Sequence, residues 1–432
     1  MIKSLHKDKE DKAKLTFSVT LICLMFLYPL FVMTRFKQLA SPIVDNLPTT
    51  NEVWIIPIII IFKKIFCDSY DTYGYRKITL ILFMALFTVI LVGGLRVEKI
   101  DQYIYATAVF IIPVSLLFIC TKRDIRYLNL FLKLFTLTCF IYSIAYILVA
   151  SHYGNIANFL GNTIRSNAFV SSNQYRAKMM IGTTITVANY FTMSLPILFY
   201  MYFKNSNNKW SVISLLAIIS SLVASVLTLS RLGFFTSLLV VLMCIMFQKE
   251  NRYGVLKRCL IILVVFIAFI YAADKYDIAR LFMGFKDSST SARAESFKLG
   301  LYIFELYPFL GSGIANYFAR VYVDNSLIIG QVCGLIDPHN AYVLILSEIG
   351  IVGFIIIAIL IYCLIIRISK IPDRMFRVTG YIILLSVGLS SIGGSHIVNE
   401  ISYSTVFWIY MSLFYAASFL DVESFKEIIG SK

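Results

Sequence analysis

Leu15–Met33 opens a series of about twelve long apolar runs, and no fold with a single water-facing surface can hide them all. The others lie at roughly 48–62, 78–94, 103–120, 127–150, 179–203, 210–229, 232–247, 258–273, 341–366, 377–393 and 401–420. Each is long enough to approach or cross a hydrocarbon core of about 30 Å. Across all 432 residues the chain is 59% hydrophobic and only 15% charged, with a mean hydropathy of +0.80, far above a soluble domain. Backbone in lipid must satisfy its own hydrogen bonds, and the alternation of a β-barrel is absent, so the runs predict helices. The expected fold is an all-α polytopic membrane protein with about 12 transmembrane helices and a large helical loop on one side.

The formal charge of +15 could point to nucleic acid, but its Lys and Arg residues fall in short clusters between runs rather than along one face. Lys63, Lys64, Arg76 and Lys77 form one cluster, and Lys122, Arg123 and Arg126 another. Lys249, Arg252, Lys257 and Arg258, then Arg367, Lys370, Arg374 and Arg377, fall on the same face of the threading. By the positive-inside rule that face is cytoplasmic, and an even number of spans returns both termini to it. Leu15–Met33 is long for a signal-peptide core and no convincing small-residue cleavage site follows, so it reads as an uncleaved anchor. Seven of the eight cysteines lie in or beside apolar runs, which leaves Cys333 alone in the polar loop and no disulfide or Cys/His metal spacing within it. No internal repeat of transporter type is visible.

Three blocks follow. Residues 1–225 hold the N-terminal helices with an outer loop at 151–178. Residues 226–366 form a core that includes the polar loop 274–340, and 367–432 hold the last helices and a short tail. Within the loop, Ser291–Leu306 predicts a helix capped by Ser291 or Thr290, broken by Pro308 and the Gly311–Gly313 turn. A second helix is expected over about Ala315–Val323.

Chemistry concentrates where this loop ends. His339 and Asn340 precede an apolar helix, and Gly350 and Gly353 complete an H-N-x9-G-x-x-G pattern. An imidazole at a membrane–water boundary can take a proton from a hydroxyl, and Asn340 can cap the helix; a histidine that only ends a helix is the plain alternative. Arg231 sits in TLSRLGFF, in a tight turn between two runs, where a guanidinium either grips an anion or snorkels to the interface. Arg293 stands near the start of the loop helix, where the helix dipole would reinforce anion binding, unless Asp287 or Glu295 pairs with it. Arg165, Arg176 and Lys178 add a basic group on the same side, and Arg320, Asn340, Tyr342 and Glu348 are further candidate substrate contacts. Glu348 falls about 13 Å along the helix from His339, where an acid is functional or paired with a neighbouring helix. Lys133 is expected to snorkel, and His396 to be structural. Asp274 and Asp277 stand among cations without acidic partners, so no metal and no cofactor is expected.

TLSRLGFF, SARAESFKLGLYIFELYPFLGSGIANYF and DPHNAYVLILSEIGIVGF together resemble the shared core of the O-antigen polymerase and O-antigen ligase superfamily, over about residues 225–365. Earlier residues are similar only in hydropathy and in the loop RSNAFVSSNQYRAK. The resemblance implies a metal-independent, inverting membrane glycosyltransferase of the C type in a bacterial inner membrane, working on the periplasmic side. Its donor would be an oligosaccharide on undecaprenyl diphosphate, with Arg231 and Arg293 on the diphosphate and His339 as base. The leading expectation is a polymerase that extends a lipid-linked repeat unit; the alternative is a ligase that moves the glycan to lipid A core. Protein O-glycosylation is disfavoured because the chain reaches Lys432 soon after its last run. The implied partners are the lipid-linked donor, an acceptor glycolipid, membrane lipids and a chain-length regulator, and no nucleic acid. A lipid-linked glycan flippase is the competing class; it needs cations along a path but no surface base.

Overall fold

The computed structural model describes residues 2–33, 56, 58–60, 63, 77–97, 100–150, 167–171, 174–178, 183–204, 209–248, 288–317 and 338–429. In chain order these form α1 (Ile2–Phe26), α2 (Tyr28–Met33), α3 (Lys77–Gly93), α4 (Ile100–Ser115), α5 (Leu128–Ala150), β1 (Asn167–Ser171), β2 (Gln174–Lys178), α6 (Thr184–Lys204), α7 (Lys209–Leu227), α8 (Arg231–Gln248), α9 (Ser288–Leu306), α10 (Ala341–Ser369), α11 (Arg374–Ile392), α12 (His396–Asn399), α13 (Ile401–Ala417) and α14 (Val422–Ile429). Among the described residues the architecture is helical apart from one small hairpin in the expected loop, in which β1 and β2 pair antiparallel with Phe169 opposite Arg176.

Among the described residues, five segments are long and apolar enough to cross a membrane: Lys77–Arg96, Asp124–Ala150, Lys209–Leu227, Ala341–Ser369 and Arg374–Ile392. Gln102–Phe118 and Arg231–Phe247 are shorter apolar helices. The expected runs at 48–62 and 258–273 lie mostly or wholly outside the described residues, so the described chain does not establish the number twelve. Large apolar side chains stand exposed at helical spacing: Val212, Leu216 and Ile219 on α7, and Ile355, Ile359, Tyr362 and Ile366 on α10. Stripes of this size would be a liability in water; facing acyl chains they are the favourable surface.

α6 and α13 occupy the centre. From Thr186 to Met201 every side chain of α6 is buried, and α13 is buried along its whole length. A helix enclosed on all sides need not be uniformly apolar, provided its polar groups find partners. α6 packs against α7, α8 and α11, and α5 packs against α7. Short hydroxyl contacts tie these helices: Ser143 to Ser220 at 2.6 Å, Thr192 to Ser237 at 2.6 Å and Ser225 to Ser237 at 3.0 Å. Small side chains permit the close approach, and van der Waals packing with these hydrogen bonds takes over from the hydrophobic effect that lipid removes. Lys133, expected to snorkel, lies with its ammonium 5.5 Å from the centre of the Trp210 ring.

A second, smaller apolar cluster joins α3, α4, α9 and the first half of α10 through Leu86, Ile90, Phe110, Ile303, Leu344 and Ile349. This cluster positions the loop helix against the pattern that begins at His339.

Candidate functional site

Two chain segments interlock at the centre of the site. α10 is broken at Gly350, which has φ 67° and ψ −174°. In an unbroken helix the N–H groups of Ile351 and Val352 would bond to the carbonyls of Ser347 and Glu348. Here they donate instead to Pro308 O at 2.9 Å and Phe309 O at 3.2 Å. The two carbonyls left over accept from Ser312 N and Gly313 N, both at 2.9 Å, and Ser312 Oγ adds a bond to Ser347 O at 3.0 Å. Residues 308–313 thus fill the break, and the exchange leaves these four backbone groups bonded, as an apolar setting requires.

The approach is so close that only glycine fits. A Cβ on Gly350 would stand 2.4 Å from Phe309 O, and one on Gly311 would stand 2.3 Å from the Glu348 carbonyl carbon. Gly311 and Gly313 also have positive φ, at 68° and 102°. Gly311 and Gly313, expected as the turn that breaks the loop helix, and Gly350 of the H-N-x9-G-x-x-G pattern all serve this backbone clasp. Glu348, expected to be functional or paired with a neighbouring helix, is buried and accepts Ala315 N at 3.0 Å, so its carboxylate takes part in the clasp. Arg96 completes it. Its Nη1 donates to Gly311 O at 3.1 Å, and its guanidinium lies 5.8 Å from the centre of the Tyr307 ring.

At the start of α10, Asn340 caps as expected: Oδ1 accepts Val343 N at 3.1 Å. Its Nδ2 donates to Ile392 O, also at 3.1 Å, which ties this helix start to the end of α11. His339 is half-buried in the preceding turn with φ 47°, a conformation that a non-glycine residue holds only when its surroundings impose it. Tyr342 donates to Gly388 O at 2.9 Å, a second tie to α11.

α8 starts at the expected tight turn, with Arg231 inside the helix rather than in the turn. Ser230 Oγ accepts Gly233 N at 3.2 Å, which makes Ser230 the cap and Arg231 the first residue of the helix. Its neighbour Leu232 lies against the turn after α11, where a Cβ on Gly393 would stand 2.5 Å from Leu232 Cδ2. α9 begins at Ser288, so the caps expected at Thr290 or Ser291 fall inside the helix. Gly300 of α9 meets the His339 turn directly, because a Cβ there would stand 2.4 Å from Val343 Cγ1 and 3.4 Å from Pro338 Cγ. Arg293 is exposed two turns earlier on the same face as Gly300. The segments bearing Arg231, Arg293 and His339 therefore meet around residues 338–340 and the turn after α11.

His396, expected to be structural, is buried with Nδ1 3.0 Å from Thr186 Oγ1. Beside the start of α10 opens an apolar cavity of about 330 Å³, lined among others by Leu86, Phe110, Tyr342, Ile361, Val387 and Trp408. Arg176 belongs to β2, while Arg165, Arg320, Asp274, Asp277 and most of the second loop helix expected at 315–323 lie outside the described residues. Sequence reasoning passed over Arg96. The available signal was an arginine on the face that the positive-inside rule leaves poor in cations.

No curated protein matches the chain. Residues 215–358, which hold α8, α9, most of the clasp and the first half of α10, match the family model described as O-antigen ligase, and that match supports the resemblance to the O-antigen polymerase and ligase superfamily.

Proposed function

We propose that the protein is a membrane glycosyltransferase that transfers a glycan from undecaprenyl diphosphate to a sugar hydroxyl of a lipid-linked repeat unit, as an O-antigen polymerase. The observation that carries the reading is that the segments bearing Arg231, Arg293 and His339 meet around residues 338–340 and the turn after α11, which the Asn340–Ile392 bond ties together, next to an apolar cavity that suits an isoprenoid chain. In this mechanism an unprotonated ring nitrogen of His339 takes the proton of the acceptor hydroxyl as its oxygen attacks the anomeric carbon. The bond from that carbon to the diphosphate oxygen breaks, and its electron pair leaves with the diphosphate. Arg231 and Arg293 bind the charge that builds there, aided at Arg231 by the N-terminal end of α8. Direct displacement inverts the anomeric centre. The reaction belongs on the periplasmic side, with both chain termini in the cytoplasm.

The description of the matched family keeps transfer to lipid A core as the second reading. Purified protein given one lipid-linked repeat and no core acceptor separates the two: a ladder of longer lipid-linked chains marks a polymerase, and transfer only after lipid A core is added marks a ligase. His339→Ala should abolish transfer by either route while full-length protein remains in the membrane. Unaltered product from that variant removes His339 from catalysis.

A further inference from the structure

Arg96 lies more than a hundred residues before the matched core, yet its side chain reaches into the clasp. It ends the 3-10 turn Gly94–Arg96 that follows α3. That turn is held on several sides. The Arg96 carbonyl accepts Asn316 Nδ2 at 3.2 Å, the Gly93 carbonyl would stand 2.8 Å from a Cβ on Gly313, and Tyr103, whose ring covers Gly94, donates to Ile90 O at 2.9 Å. The guanidinium is thus fixed over Tyr307 with one N–H on Gly311 O. Gly311 is the residue whose backbone meets Glu348, two positions before the break in α10.

We propose, building on the reading of the site given above, that Arg96 is a positioning residue for the transfer reaction. It locks residues 308–313 into the break of α10, and through them it fixes the direction of the helix half that begins at Ala341, just after the turn that holds His339. In this view the N-terminal helices take part in catalysis without touching substrate. A planar guanidinium suits the task because it can stack on an aromatic face and donate in its own plane at the same time. A lysine keeps the charge and one donor but loses the planar guanidinium over the Tyr307 ring.

Displacing a base by about 1 Å can cost on the order of 100-fold in rate, so Arg96→Ala should lower kcat by about 10- to 100-fold and leave the donor KM within about 3-fold. Arg96→Lys should recover part of the loss. The rate is measured on the full-length protein in detergent or liposomes, as release of undecaprenyl diphosphate from a defined donor. Asn316→Ala removes the bond to the Arg96 carbonyl, and combining it with Arg96→Ala should give less than the product of the two separate losses, since both act on one device. Should Arg96→Ala fail to reach the membrane, Tyr307→Leu removes the stacking surface alone and should lower kcat by about 3- to 10-fold. An unchanged kcat in Arg96→Ala, or in Tyr307→Leu when that is the variant used, overturns the proposal, and so does a rise in KM alone, which would make Arg96 a substrate ligand. Wild-type protein with no transfer activity toward any acceptor defeats the proposed function itself; active wild type with an indifferent Arg96→Ala defeats only this inference.

Discussion

Asn340 shows how much one side chain can determine. Its carbonyl oxygen caps α10 and its amide nitrogen bonds the end of α11, so both ends of a single amide are committed. The first role is legible locally, because an Asn before an apolar run is a cap signal. The second is not, since Ile392 lies 52 positions away. Asn340→Asp keeps the acceptor and loses the donor, whereas Asn340→Ala loses both. The cap and the hydrogen bond are worth about 1 kcal/mol each. The alanine variant should therefore be less stable than wild type by about 2 kcal/mol and the aspartate variant by about half of that. Thermal unfolding of the detergent-purified protein would read both, and an aspartate variant as stable as wild type would show that the tie to α11 contributes nothing. Glu348 teaches the converse. Its depth in an apolar helix suggested either function or a pair with a neighbouring helix, and the structure makes it an acceptor within the clasp.

At the scale of elements, the break in α10 is the decisive feature. Hydropathy alone predicts a run from 341 to 366, because Gly350 is an unremarkable residue within an apolar stretch. What splits the helix is the arrival of residues 308–313, whose backbone offers the hydrogen bonds that the continuous helix would otherwise make. Gly350→Ala and Gly311→Ala each set a Cβ within 2.5 Å of backbone, at a positive φ. Neither neighbour is a flexible side-chain tip that can swing away, so each variant should lose about 4 kcal/mol or more. Fluorescence-detected size-exclusion chromatography should show little monodisperse protein for either. Well-behaved, fully active Gly350→Ala protein would mean that the break is not needed.

The whole molecule depends on ties between segments far apart in sequence. One of these ties is buried: Lys63 Nζ lies 3.2 Å from Asp124 Oδ2, with both side chains at most 2% exposed. Ser18 of α1 donates to Asp124 Oδ1 at 2.6 Å, and Thr121 donates to Oδ2 from both its N–H and its hydroxyl at 2.7 Å. One carboxylate thereby joins the first helix, the chain at residue 63 and the turn before α5. Asp124→Asn leaves the Lys63 ammonium without its countercharge, and breaking such a buried pair from one side costs about 3–5 kcal/mol. Lys63→Met combined with Asp124→Asn should recover part of the loss. An Asp124→Asn protein that melts like wild type would show that this ion pair contributes no net stability.

The sequence by itself determined that the chain is helical and built for lipid, that a tight turn at Ser230–Arg231 precedes α8, and that Asn340 caps α10. Those features follow from local composition, from periodicity and from the requirement that backbone in hydrocarbon bond within its own segment. Only the tertiary structure decided that α10 is broken at Gly350, that Gly311 and Gly350 serve a backbone clasp, and that Arg96 and Asp124 hold distant segments in place. Each of these is a hydrogen bond, ion pair or steric limit between residues that are neighbours in space and strangers along the chain, and no window of sequence contains both partners.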